Sequence, residues 1–527
     1  MWWIALFLGC DAAVPPTPDV TDPEPPALDA EPLFASLAGQ QRDAGLLESY
    51  VDNPDLPADF SSYLVRERPM FVYDASLAAI AWLGDGRPAS LTHAKAVLDG
   101  LVAIQASSGA VPSVVNAGTG ASSSDFSTGN QAWVMLALLA GHDALGDEAY
   151  LLAAERVAAH VLACCVSAAD FGGLTLRPGS TVLSTEHNLD AYAAFTRLSA
   201  KLPTRAGLLT AAEVEAAATG SRLFAESMFD PVTGAVFTGS IGDGRTASRS
   251  PVPLDTQTWA LLSLGRADGG YRWALQRPPA GIWTTSPACA GVDGPSFSTA
   301  DVGDVWAEGL AQVATAALRA EDLDTFDRAA EALNQLRIAA PNADGQGLVA
   351  TCTTVDTGFE SSYFNSLHVG ATAWTAIAAV GVDPFWFAPL AGGLAAHPAA
   401  GLPAVRITPP ADGTYLCSGD APCRFTVDGD ASGLAGTGRQ AYLLVEPLGF
   451  GSWFTQAFPA TVAADGSFTV AGQLGSEAHP VSAGDEMRLL MLVVDGAAPP
   501  LSLSRIGPAT VPGVLTASGV LQASVRR

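Results

Sequence analysis

Six segments of this chain share a pattern that few architectures can accommodate. Each opens on a polar or glycine-containing turn and continues as a small-residue-rich apolar stretch of helical length with almost no charge. They are 73–83 (YDASLAAIAWL), 129–141 (GNQAWVMLALLAG), 185–198 (TEHNLDAYAAFTRL), 254–265 (LDTQTWALLSLG), 302–318 (VGDVWAEGLAQVATAAL) and 367–381 (LHVGATAWTAIAAVG). A helix that is apolar on every side has to be buried on every side. Between several of them lie amphipathic segments, clearest at 90–105, 148–162, 211–228 and 321–338, with charges on one face and apolar residues at helical spacing. The fourth inner segment is followed by RADGGYRWALQRPP, which has room for only a short helix, and residues 31–50 can supply the outer helix that closes the set. Helix pairs in series either stack as an open solenoid or close into a toroid. The uneven spacing of the starts and the long Gly/Ser/Pro loops before them favour closure, so the expected fold is mainly α, an (α/α)6 toroid over residues 31–395. In such a toroid the starts of the inner helices gather at one end, where the long loops build a funnel.

Charge narrows the partners. The chain carries 26 basic against 53 acidic residues, a formal net charge of −27, which argues against nucleic acid or another polyanion and suits a neutral or cationic ligand. Although 49% of the residues are hydrophobic, no run approaches the roughly 20 apolar residues a spanning helix needs.

The N-terminus reads as an address rather than a fold. Residues 1–9 (MWWIALFLG) form a short apolar stretch ending in Leu8-Gly9 before Cys10, which resembles the lipobox of bacterial lipoprotein signal peptides. The resemblance implies cleavage before Cys10, lipidation of that cysteine and attachment to a bacterial membrane, on the periplasmic face or at the cell surface. Residues 10–30 are Pro-rich and acidic, the composition of an extended tether. Seven cysteines in an exported chain leave six to pair once Cys10 is lipidated. Cys417 and Cys423 are close enough to staple a loop. Cys164 and Cys165 are adjacent and are expected to take different partners, with Cys289 and Cys352 the candidates in the body. No cysteine or histidine spacing matches a zinc site, and no metal or cofactor is expected.

From about residue 401 the pattern changes to short β-type runs at 404–408, 423–428, 440–446, 460–463, 467–471 and 487–494, separated by Gly-rich turns. Residues 401–527 therefore read as a small antiparallel sandwich of immunoglobulin-like type, serving as a spacer or as a carbohydrate- or protein-binding unit. Trp453 and Phe454 within it form either a binding edge or ordinary packing.

Over about residues 32–390 the chain resembles the bacterial six-hairpin glycosidase-like proteins. The resemblance is carried by FVYDASLAAIAWLGDG (71–86), GNQAWVMLALL (129–139), STEHNLDAYAAF (184–195), LDTQTWALLSLG (254–265), VWAEGLAQ (305–312) and ATAWTAIAAVGVDPF (371–385). It implies a carbohydrate-active enzyme acting on an oligo- or polysaccharide, most simply a glycoside hydrolase. The same superfamily holds polysaccharide lyases and sugar epimerases, so the fold fixes no reaction. A surface protein that uses the barrel only to bind carbohydrate or protein is the reading from another class.

Glycoside hydrolysis needs a protonated carboxylic acid beside the leaving oxygen and a second carboxylate on the sugar or its attacking water. Asp74, Glu186, Asp255, Asp304 and Glu308 all fall near the starts of otherwise uncharged inner segments. Each has a structural alternative, because a carboxylate there can cap the helix; that alternative is strongest for Asp255 and Asp304. Glu186 resists it, standing in Thr185-Glu186-His187-Asn188-Leu189-Asp190, where three polar side chains on one buried helix must converge on the funnel or on a neighbouring helix. The expected assignment is Glu186 as general acid, Asp74 or Glu308 as base, and His187, Asn188 and Asp190 orienting the sugar. Aromatic residues recur in the inner segments at Trp82, Trp133, Tyr192, Trp259, Trp306 and Trp374, where such residues more often fill the core; Trp133, Trp259 and Trp306, each a few residues into its helix, together with Tyr73, are the better candidates for a sugar platform. Asp255 and Gln257 at the fourth start and His368 at the sixth complete the expected binding set.

Overall fold

A computed structural model describes residues 28–122, 125–202, 207–266, 269–418, 422–434, 436–476, 479–503 and 507–526. Cys10, the signal-like segment and nearly all of the tether lie outside the described residues.

The first helices in the chain are α1 (Ala30–Gln40), α2 (Ala58–Glu67), α3 (Val72–Asp85), α4 (Pro88–Ala103), α5 (Thr128–Leu145), α6 (Glu148–Cys164), α7 (Thr185–Ser199) and α8 (Ala211–Ser227). They are followed by α9 (Asp255–Leu264), α10 (Gly270–Ala274), α11 (Ala307–Ala320), α12 (Leu323–Ala339) and α13 (Val369–Val380). Helix α3 packs on α5, α5 on α7, α7 on α9, α9 on α11, α11 on α13, and α13 back on α3. The ring is closed. Around it α4, α6, α8, α10 and α12 each pack on the inner helix that precedes them, and α1 packs on α13, so residues before the first inner helix supply the last outer one. This is an (α/α)6 toroid. The burial matches the sequence pattern: every residue of α9 is buried, while α12 buries only one face. Helix α2 was not anticipated; it buries a single residue, Leu64.

The fifth inner helix starts at Ala307 rather than 302. Asp304 explains the delay. Its carboxylate accepts hydrogen bonds from Ser286, from the backbone N–H groups of Val305 and Cys352, and from both N–H and hydroxyl of Thr353, which holds the preceding residues as a loop. The same bonds draw the Cys352 loop against the Cys289 turn, and those two cysteines are bonded to each other. Cys164 and Cys165 therefore pair as neighbours at the end of α6, correcting the expectation that they separate. Cys417 pairs with Cys423.

Beyond the barrel, two sheets face each other. One has the strand order Ala404–Thr408, Cys423–Ser432, Ser467–Leu474, Thr461–Val462. The other runs Thr414–Leu416, Leu521–Arg526, Glu486–Asp495, Arg439–Pro447, Trp453–Thr455, Ser502–Leu503, with Val514–Ala517 also on Glu486–Asp495. Thr414–Leu416 and Leu521–Arg526 are parallel, so the sandwich is not wholly antiparallel as expected. Val427, Leu443, Leu489 and Met491 pack between the sheets. The other face of the second sheet, with Tyr442, Leu444, Leu490 and Leu492, is buried in the same core as the barrel helices. A strand covered on both faces reads as a continuous apolar run, which is the reason for LLMLVV at 489–494. Polar contacts fix the junction: Glu226 of α8 accepts from Thr516 Oγ1 (2.7 Å) and Ala517 N–H (2.9 Å), and Trp453 Nε1 donates to Asp170. Trp453 is fully buried and belongs to packing rather than to a binding edge. No helix among the described residues is long and apolar enough to cross a membrane.

Candidate active site

The inner-helix starts converge at one end of the toroid around a cavity of about 170 Å³. Helix α3 contributes Tyr73; α5 contributes Gly129, Asn130 and Trp133; α7 contributes Glu186 and His187; α9 contributes Asp255 and Trp259. Glu308 comes from the first turn of α11 and Trp306 from its cap, while a loop adds Phe297 and the two-residue strand Ser362–Tyr363 adds Tyr363. Trp133, Trp259, Trp306, Asp255 and Glu308 are buried; Asn130, Glu186, His187, Phe297 and Tyr363 are half-buried and form the rim. No lysine or arginine among the described residues lines the cavity.

Glu308 is the most constrained of the acids. Tyr73 donates its phenolic hydrogen to Oε1 at 2.6 Å, and the phenol oxygen accepts from Trp374 Nε1 at 2.8 Å. Oε2 makes no hydrogen bond. Burial pushes the Glu308 carboxyl up to about 7, against the opposing influence of His368 and the Tyr73 hydrogen bond. His368 caps α13, its Nδ1 accepting the Ala371 N–H at 3.3 Å, with Nε2 3.4 Å from Asp74 Oδ2 and Nδ1 3.7 Å from Glu308 Oε2. Gly370 makes this crowding possible: a Cβ there would lie 2.7 Å from Glu308 Oε2 and 2.9 Å from Asp74 Oδ1. Asp74 and His368 therefore stand behind Glu308 and do not line the cavity. Asp74 as the catalytic base and His368 as a sugar ligand are both corrected on this ground.

Glu186 is the opposite case. Ser184 Oγ accepts the His187 N–H at 3.3 Å and so opens α7, leaving the Glu186 carboxyl at the rim with no hydrogen-bond partner among the described residues. Desolvation, followed by the charges of Asp255 and Glu308, holds it well above the usual carboxylate range. His187 lies against Gly129, which leaves no room for a side chain; burial pushes its imidazole down to about 4, so it is neutral at pH 7. Asp255 accepts the Thr256 N–H through Oδ1 at 2.7 Å, as the capping alternative required, yet it also lines the cavity, and burial pushes it up to about 7.

Three expected ligands are placed elsewhere. Asn188 accepts from Leu174 N–H at 2.8 Å and donates to the carbonyls of Leu174 and Ser184. Gln257 accepts from Val236 N–H and donates to the carbonyls of Val236 and Pro253. Both amides are consumed in holding loops against their helices. Asp190, one turn beyond Glu186, is fully buried beneath the cavity with the Trp133 indole beside it; burial, Glu186 and Asp255 raise its carboxyl well above normal.

Trp133, Trp259 and Trp306 line the cavity with Tyr73, whereas Trp82 stacks on His93 and Tyr192 meets Trp386 edge-on. Trp374 lies behind, serving Tyr73. Phe297 and Tyr363, each within 6 Å of Trp306 (ring centroids 4.8 and 5.5 Å apart), and Asn130 were not anticipated. The two aromatics carry no periodicity; their one signal is a large ring amid polar residues. Asn130 lies within GNQAWVMLALL (129–139), where no local feature sets it apart. Among the described residues, the one His/Cys/Asp/Glu group placed to hold a metal is Cys289, Asp304 and Cys352, and there the two sulfurs are joined to each other.

No family model and no curated protein matches the chain. Solved structures are similar to it over two-thirds of its length. An alpha-amylase from Clostridium perfringens is 10% identical, with 67% of this chain and 96% of that one covered and a TM-score of 0.47. A cellobiose 2-epimerase from Spirochaeta thermophila is 14% identical, covering 66% and 92%, with a TM-score of 0.47. An alpha-1,6-mannanase from Salegentibacter is 12% identical, covering 67% and 97%, with a TM-score of 0.43. The closed ring of helix pairs rests on the packing described above, not on these scores.

Proposed function

We propose that this chain is a carbohydrate-active enzyme, a glycoside hydrolase acting on an oligo- or polysaccharide outside the cytoplasm. One observation carries the reading: two carboxyl groups with different environments, Glu186 and Glu308, share one aromatic-walled cavity, and neither is tied to a backbone amide. Burial and then the charges of Asp255 and Glu308 favour the protonated form of Glu186, and it has no hydrogen-bond partner among the described residues, which suits delivery of a proton to a glycosidic oxygen. Glu308 is oriented by Tyr73 and ionises near neutrality, which suits action on the anomeric carbon directly or through water. Trp133, Trp259 and Trp306 offer faces for the sugar ring. His187 and Asp255 complete its contacts.

An epimerase or lyase would instead use His187, which is neutral and at the rim, with Tyr73 or Tyr363 for proton transfer. Replacing Glu186 with Gln separates the two. Under the hydrolase reading E186Q and E308Q each abolish release of reducing ends while His187→Asn retains it; an epimerised or unsaturated product formed by wild type, E186Q and E308Q but lost in His187→Asn selects the epimerase or lyase.

Lipidation at Cys10 would tether the enzyme to a bacterial membrane, and three disulfides suit an oxidising compartment. The sandwich, of immunoglobulin-like type in this reading, buttresses α8 rather than acting as a free spacer.

A further inference from the structure

The cavity holds an imbalance that a substrate has to resolve. Glu186, Asp255 and Glu308 line it, no lysine or arginine among the described residues does, and the imidazole on the rim, His187, is neutral. The one cationic candidate nearby, His368, stands behind Glu308 and faces Asp74. Below the floor Asp190 adds a further buried carboxyl. Three carboxyl groups in a desolvated space cannot all ionise without a counter-charge. The indole N–H groups of Trp259 and Trp306, whose rings line the same space, are buried without an acceptor among the described residues. These are polar atoms waiting on a ligand, and aromatic faces beside carboxylates are the surroundings that attract an ammonium group.

Size limits the ligand further. At about 170 Å³ the cavity is smaller than the roughly 300–1,000 Å³ usual for drug-sized ligands, which restricts it to a single ring. The geometry points to a pyranose carrying a free ammonium group: this site takes the terminal residue of an unacetylated amino-sugar glycan. The inference rests on the cavity being the sugar site of the proposed hydrolase. The ammonium supplies the missing counter-charge, lies against the tryptophan faces and lets Asp255 and Glu308 ionise. A uronate or a sulfated or phosphorylated sugar brings a further anion with nothing to pair it. An N-acetyl group removes the charge and adds bulk. The chain's net charge of −27 also concentrates cationic glycans at its surface.

The test is calorimetric titration of the full chain carrying E186Q, which prevents turnover, with glucosamine, glucose, N-acetylglucosamine and glucuronate. We expect glucosamine to bind about tenfold or more tighter than glucose, with N-acetylglucosamine and glucuronate weaker still. Adding Asp255→Asn and Glu308→Gln brings glucosamine to within about twofold of glucose. Glucose or N-acetylglucosamine binding as tightly as glucosamine overturns the inference, as does an ammonium preference that survives loss of both carboxylates, or absence of any binding. The hydrolase reading fails separately. If E186Q turns over glycosides at the wild-type rate, acid catalysis falls while the sugar preference stands; if wild type hydrolyses neutral glycosides as readily as glucosaminides, the preference falls while hydrolysis stands.

Discussion

Tyr73 donates its phenolic hydrogen to Glu308 Oε1 over 2.6 Å, joining the two inner helices that flank α13. Because the phenol oxygen already accepts from Trp374 Nε1, the Tyr73 hydrogen has one destination. Glu308 is thereby held as an acceptor and its anion is favoured against the burial that opposes it.

Tyr73→Phe removes that donor and leaves the Trp374 indole without its acceptor. The Glu308 carboxyl then rises further, so the acid limb of the kcat/KM profile moves to higher pH, and kcat falls by about tenfold or more. A pH–rate profile of the variant against wild type checks both.

Gly370→Ala tests the crowding behind the base. In an open helix the change would gain up to about 1 kcal/mol. Here the new Cβ meets Glu308 Oε2 at 2.7 Å and Asp74 Oδ1 at 2.9 Å, and Glu308 is pinned by Tyr73. We expect a lower melting temperature together with loss of activity, whereas a stabilised and active variant would mean that Glu308 moves freely.

The raised carboxyls make stability depend on pH. Asp255 and Glu308 rise from 3.8 and 4.5 to about 7 on folding, so the folded state binds the proton more tightly. Their contribution is full below the unfolded pKa values and is lost as pH rises through about 7. Asp255→Asn and Glu308→Gln should therefore leave the melting temperature almost unchanged at pH 4 and raise it at pH 8, at the cost of turnover. Thermal melts across this range decide it.

At the far end of the barrel Arg319 and Asp383 form a buried ion pair at 2.8 Å. Arg319→Met leaves Asp383 uncompensated and should cost about 3–5 kcal/mol in chemical denaturation. The cavity lies at the opposite ends of the inner helices, so KM and the pH profile of the folded fraction should not change.

The toroid was legible because burial on every side leaves a pattern that only a central helix produces, and α9, with no exposed residue, is its clearest case. Composition also separated the sandwich from the barrel. The junction between them was not legible: Leu490 and Leu492 are buried in the barrel's core and Met491 between the two sheets, and an uninterrupted apolar run does not say what covers each side. The site was half legible. Glu186, Glu308, Asp255 and the tryptophans follow from their place at helix starts, whereas Asp74 is one residue from Tyr73 and differs from it only in the face it takes on α3. Asn188 and Gln257 look like ligands in sequence and are spent on the carbonyls of Leu174 and Val236, partners that no local spacing reveals.

The role of Glu186 is tested most directly by the leaving-group dependence of E186Q. Glycosides with a sugar leaving group need its proton, whereas those with a dinitrophenolate leaving group do not. We expect E186Q to lose about 10²–10⁴-fold in kcat/KM on the former and to stay near wild type on the latter. An equal loss on both, or no loss on either, would contradict Glu186 as the general acid.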